Sequence, residues 1–295
     1  MQEKIKKNLK TYLGYLGSLL AVLGITYLAI QISSYAKQIS LSEYGAQQFF
    51  IVVGLAFLYG FCGLFMAFAW KKLLNEYSLE VPMKWVVFIY GKTQIMKYVP
   101  GNIFHLAGRQ AEGMRIGLPA KPLAKTSMWE LLIQSSAALP FAAIFLFLIN
   151  INPFIIGLSC VALFTILAFV WTKIGSANFA ASFSLYSLFH LCAGLIFFLL
   201  VISFAEPGPT PFYLPAAYIV AWLIGLITPG APAGLGVREL VLILLLKGHM
   251  TENDIIILTT LSRVVTGVGD LIYFGLSYLS QKISYFSWNI TDDSL

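Results

Sequence analysis

Apolar residues run almost unbroken over 13–30, 49–70, 128–148, 154–171, 183–204 and 255–280. Each run approaches the roughly 20 residues that an α-helix needs to cross a bilayer's hydrocarbon. This pattern predicts six membrane spans. Two further apolar regions, 85–112 and 212–247, are broken near their centres by Pro100-Gly101-Asn102 and by Pro229-Gly230-Ala231-Pro232. Proline removes a ladder hydrogen bond, and the backbone groups it frees are tolerated at membrane depth only where protein or a wet cavity satisfies them. Both regions are therefore predicted to be broken-helix hairpins that enter and leave on one side. The predicted class is an all-α polytopic membrane protein with about six full spans and two re-entrant hairpins.

Composition agrees with this pattern. The 295 residues are 59% apolar and 11% charged, far from the usage of a soluble domain. The spans leave no stretch long enough for a separate soluble domain, so residues 1–295 form a single integral membrane domain in which any function must reside. Cys62, Cys160 and Cys192 fall in separate apolar runs, without the spacing of a disulfide framework or a metal site. The N-terminal MQEKIKKNLK followed by an apolar run has the outline of a signal peptide, but the run is long enough to span and is expected to be retained.

The net charge of +6 points to anionic headgroups and membrane orientation, with no nucleic-acid partner implied. Six spans and two hairpins place Lys4, Lys6, Lys7, Lys10, Lys71, Lys72, Lys84, Arg115, Lys121, Lys125, Lys173 and Lys282 on one face, and only Lys37 and Lys247 on the other. That bias marks the first face, with both termini, as cytoplasmic. The first hairpin then dips in from the cytoplasm and the second from outside.

The two broken regions also match each other. Pro100 precedes Arg109 and Pro229 precedes Arg238 by the same interval. An acid follows in each, Glu112 and Glu239, and a long helix comes next, carrying Glu130 in one case and Arg263 with Asp270 in the other. Units 85–148 and 212–280 thus read as an inverted repeat, the arrangement with which many secondary transporters build a midplane site. A chance match of Pro-Gly pairs with nearby arginines is the competing explanation.

A charge at the bilayer centre costs about 3 kcal/mol, so Arg109, Glu112, Glu130, Arg238, Glu239, Arg263 and Asp270 are expected to face an internal crevice. Asn102 is a candidate N-cap for the half-helix that follows, and His105 and Arg109, one turn apart, share its face. Gly230, Gly234 and Gly236, with Pro232, allow close backbone approach before Arg238. The functional reading assigns Asn102, His105, Arg109, Arg238 and Arg263 to an anionic phosphate, with arginine's planar fork suited to paired oxygens. Glu112, Glu130, Glu239 and Asp270 then pair with those cations or carry coupling protons. The structural reading makes the same charges bridges between helices. His190, inside SLFHLCAGL, reads as an interior histidine. No catalytic residue, metal site or cofactor motif is recognised.

PGAPAGLGVREL at 229–240 and KYVPGNIFHLAGR at 97–109 resemble the lysylphosphatidylglycerol synthase/flippase transmembrane family, which includes the N-terminal half of bacterial multiple peptide resistance factors. The likeness runs through nearly the whole chain. It is sharpest at Pro232, Gly234, Gly236, Arg238 and Glu239, with Ala233 standing where the family usually has glycine, and extends to Leu261-Ser262-Arg263. The resemblance implies a flippase of the bacterial inner membrane acting on an anionic phospholipid or a polyprenyl-phosphate-linked sugar. It implies no aminoacyl transfer, because the soluble domain that performs it is not found before Leu295. Two alternatives remain open: an intramembrane headgroup transferase using Glu130 or Glu239 as base, and a non-catalytic partner of a glycosyltransferase or other lipid-modifying enzyme. The oligomeric state is left undetermined.

Overall fold

A computed structural model of the chain describes residues 45–99, 103–144, 152–205, 213–228 and 230–292, with side chains to 279, and short pieces between 19 and 34. The elements are α1 (Ala46–Glu76), α2 (Met83–Gln94), a 3-10 turn (Ile95–Tyr98), α3 (Phe104–Arg115), α4 (Ala120–Ala142), α5 (Pro153–Ile174), α6 (Ala177–Phe204), α7 (Tyr213–Ile227), a second 3-10 turn (Pro232–Gly234), α8 (Val237–Leu246) and α9 (Glu252–Asp292). The described chain is helical and contains no strand. The predicted first span, 13–30, lies largely outside the described residues, as do Pro100, Gly101, Asn102 and Pro229.

Among the described residues, four helices are long and apolar enough to cross a membrane: α1, α5, α6, and α9 as far as Leu279. Helix α5 buries little of itself and turns Phe154, Ile155, Leu158, Val161, Ile166 and Phe169 outward. In water such a stripe would drive association, whereas lipid solvates it. The run predicted at 128–148 corresponds to α4, which starts earlier, at Ala120, and carries Lys121, Lys125, Glu130 and Gln134. Those polar residues keep it out of the apolar set.

Local signals explain several helix boundaries. Asn152 caps α5 by accepting from the Phe154 amide at 2.8 Å, with Pro153 at the first helical position. Ser176 caps α6 by accepting from the Asn178 amide at 3.0 Å, while its hydroxyl donates to Glu76. The Lys71 ammonium donates to the Val81 carbonyl at 2.7 Å, Trp129 to the Tyr77 hydroxyl at 2.6 Å, and Gln110 to the Ala120 carbonyl at 2.9 Å. These bonds gather the ends of α1, α3 and α5 with the starts of α2, α4 and α6. Lys71, Lys72, Lys84, Arg115, Lys121, Lys125 and Lys173 therefore share one end of the bundle.

Helix α1 lies between α6 and α9. Its approach to α9 depends on facing glycines: a Cβ on Gly60 would stand 2.8 Å from the Gly269 carbonyl oxygen, and one on Gly269 would stand 2.8 Å from the Ala56 carbonyl oxygen. Such small-residue seams let helix backbones approach closely where lipid provides no hydrophobic drive.

Both interrupted regions form hairpins. Helices α2 and α3 pack together around the first break, and α7 and α8 around the second, where the Tyr213 hydroxyl donates to the Leu245 carbonyl at 2.9 Å. The two 3-10 turns at the hairpin tips touch each other, with Ala233 packed against Ile95 and Tyr98. Helix α9 passes beside both tips.

Candidate functional site

Where the tips meet, a cavity is lined from the first hairpin by Gln94, Lys97 and His105, and from the second by Gly225, Leu226, Ala233 and Arg238. Tyr59, Met66, Tyr90, Glu130, Gln134, Phe189 and Trp222 complete the wall. Its volume is about 50 Å³. At roughly 10–15 Å³ per water, the closed cavity accommodates a few waters or a group of similar bulk.

The charged side chains around it are sorted into pairs. Arg109, 1% exposed, donates from Nη2 to Glu130 Oε1 at 2.9 Å, and that oxygen also accepts from the Tyr90 hydroxyl at 2.9 Å. The guanidinium lies 4.2 Å from the Tyr90 ring centroid and 5.4 Å from that of Trp70, so aromatic faces supply part of the solvation it lost on burial. Lys97 meets Asp270 Oδ2 at 2.8 Å, and the Tyr98 hydroxyl donates to the same oxygen at 2.5 Å. Arg263 is bonded through Nε to Glu239, and through its other nitrogens to the carbonyls of Ala233, at 3.1 Å, and Gly234, at 2.9 Å. Glu112 is shared by Lys92, at 2.6 Å, and Arg115, at 2.8 Å, within the first hairpin.

Arg263 and Asp270 thus divide one task. They sit two turns apart on α9, and each fastens one hairpin tip. Arg263 also answers the backbone problem set by the second break, since two carbonyls that the turn withdraws from helix bonding accept from its guanidinium. The turn is tight. Gly234 has φ 71, and a Cβ there would meet the Gly225 Cα at 2.9 Å. Ala233 occupies the left-handed region at φ 48, so the alanine in the glycine-rich motif adopts a conformation that glycine reaches without the Cβ penalty.

Arg238 differs from the other two arginines. Its Nη2 donates to the Tyr218 hydroxyl at 3.1 Å, its guanidinium carbon lies 5.6 Å from that ring's centroid, and no carboxylate lies within ion-pairing distance among the described residues. It lines the main cavity and also a smaller one of about 10 Å³, which it shares with Tyr218, Glu239, Thr259, Ser262 and Arg263. Two buried side chains of the main cavity retain unused nitrogens, His105 Nδ1 and Gln134 Nε2, at 8% and 3% exposure.

Of the sequence-assigned binding residues, His105 and Arg238 line the main cavity, Arg109 stands behind the wall in its pair with Glu130, and Arg263 borders only the smaller cavity. Gly230, Pro232 and Gly236 belong to the second tip and its flanks, with Gly230 at φ 82 and Gly236 at φ 79. Lys97, Gln94 and Gln134 were not assigned to the site from sequence. Lys97, directly before the Tyr-Val-Pro-Gly break, carried the signal that could have found it, a cation beside an interrupted helix. His190 Nδ1 lies 2.6 Å from the Tyr186 carbonyl, and its ring stands edge-on to Trp222, centroids 4.7 Å apart.

Among the described residues, no group of three His, Cys, Asp or Glu side chains is placed to hold a metal ion. No protein-family model matches the chain, and no match is found among curated proteins.

Proposed function

We propose that the protein is a membrane lipid transporter that moves an anionic phosphate-headgroup lipid, a phospholipid or a polyprenyl-phosphate-linked sugar, between leaflets. The observation that carries this reading is the junction of two broken-helix tips around a polar cavity that Arg238 faces with, among the described residues, a tyrosine as its one hydrogen-bond partner. The acids nearby are already matched by Arg109, Lys97 and Arg263. An unmatched cation at such a depth favours an anionic guest. The apolar side chains of Met66, Phe189, Trp222 and Leu226 on the same wall suit the chain region of a lipid. In this reading Arg238 and His105 contact the phosphate, while Arg109 and Arg263 hold the frame.

The rest of the proposal follows the sequence. The chain has six spans, and units 85–148 and 212–280 form an inverted repeat whose hairpins open to opposite leaflets. Its membrane is the bacterial inner membrane with both termini cytoplasmic, and its relatives are the lysylphosphatidylglycerol synthase/flippase transmembrane family. Because the closed cavity has room only for a group the size of a few waters, headgroup passage requires the tips to part. A headgroup transferase using Glu130 as base is the second reading: one of its oxygens is bonded by Arg109 and Tyr90, while the other has no partner among the described residues.

In proteoliposomes containing fluorescent phosphatidylglycerol or a polyprenyl phosphate, wild-type protein is expected to accelerate leaflet exchange, and Arg238→Gln to slow it at least tenfold. Exchange at the rate of protein-free vesicles, or an unimpaired Arg238→Gln variant, would rule the reading out.

A further inference from the structure

Among the described residues, Lys97 is the cation that both lines the main cavity and is ion-paired with a carboxylate. It lines the main cavity with Arg238 and His105, yet its ammonium is held 2.8 Å from Asp270, which borders a second cavity of about 10 Å³ that shares Tyr59, Tyr90 and Gln94 with the first. That ion pair is a fastening between the first hairpin tip and α9, reinforced by the Tyr98 hydroxyl on the same carboxylate oxygen. It also sits at the tip junction, because Tyr98 packs against Ala233 of the second hairpin.

From this arrangement we infer that Asp270 acts as a built-in competitor for the guest anion: a phosphate seated against Arg238 draws Lys97 away from Asp270, and this exchange reduces the first tip's polar hold on α9 to the single hydrogen bond from Tyr98. The inference rests on the anion-binding part of the transport reading. The exchange swaps one anionic partner of Lys97 for another, so the ammonium is never left bare in a low-dielectric interior, a state that would be costly. The nitrogens of His105 and Gln134 that have no partner among the described residues line the same cavity and are available to the same anion. Tyr98 keeps a hydrogen bond to Asp270 after Lys97 leaves, so the carboxylate too retains a donor. Ligand binding is thereby linked to tip movement through one shared cation, and a ligand shifts such an equilibrium only by its differential affinity for the two states.

The exchange predicts effects of opposite sign. Full-length protein in nanodiscs of graded phosphatidylglycerol content, and in detergent with inorganic phosphate, is titrated while tryptophan emission is recorded, Trp222 being part of the cavity wall. Asp270→Asn, which removes the competing charge and retains an acceptor for Tyr98, is expected to tighten binding at least threefold. Lys97→Met is expected to weaken it by a similar factor. The probe that responds assigns the source, lipid phosphate or free anion.

Unchanged or weaker binding in a folded Asp270→Asn protein overturns the inference, and so does unchanged binding in Lys97→Met, which stands as an independent test if the first variant does not fold. Loss of lipid exchange with these signs intact defeats only the transport reading. Lipid exchange by wild type without the affinity gain in Asp270→Asn defeats only the competitor.

Discussion

Arg109 and Arg238 occupy matching places after the two breaks, yet their surroundings give them different work. Arg109 is enclosed by Glu130, Tyr90 and Trp70, whereas Arg238 reaches the cavity with a tyrosine as its hydrogen-bond partner. For a buried ion pair, removing one partner strands the other, which typically costs about 3–5 kcal/mol, while replacing both with apolar groups of similar volume is near neutral. Arg109→Met and Glu130→Leu are therefore each expected to be strongly destabilising, and the double variant to recover most of that loss. Thermal unfolding in detergent checks this. Additive losses in the double variant would show that the pair does not act as a unit.

Among the elements, α9 reaches both tips, because it fastens one through Arg263 and the other through Asp270 while lying against α1 at Gly60 and Gly269. Its position therefore sets both tips at once. Gly269→Val would place a side chain where the Ala56 carbonyl oxygen and the Tyr59 ring already stand at 2.8 Å, and backbone gives way less readily than a side-chain end. Overpacking of this kind costs about 1–3 kcal/mol. The variant is expected to melt at lower temperature and also to lose anion affinity, although residue 269 does not itself line the main cavity. A drop in melting temperature with unaltered affinity would show that α9 does not transmit its position to the tips.

At the scale of the whole molecule, the bundle has one basic end, formed where α1, α3 and α5 finish and α2, α4 and α6 begin. Basic residues at such an end orient a membrane protein toward the cytoplasm. In a background with Cys62, Cys160 and Cys192 replaced, single cysteines at Lys72, Lys121 and Lys173 are expected to react with an impermeant maleimide in inside-out vesicles and to be protected in intact cells. Labelling of any one of the three from outside would refute the proposed orientation.

Much of the architecture was legible in the chain. Apolar run length marks helices long enough to cross a membrane, and Pro-Gly steps mark hairpin breaks, because both are consequences of backbone hydrogen bonding that hold whatever the neighbours are. The site was legible only in part. Sequence marks Arg109, Arg238 and Arg263 alike as cations too costly to leave in lipid, since an unpaired charge in hydrocarbon is costly on whichever side chain carries it. Which cation is satisfied depends on what the folded neighbours bring within about 3 Å. Tertiary structure gave Arg109 to Glu130, gave Arg263 to Glu239 and two freed carbonyls, brought Lys97 from outside the expected set into the cavity, and left Arg238 facing it. Local spacing does not encode such partnerships, because Tyr98 and Asp270, or Ala233 and Arg263, become neighbours only when distant helices pack.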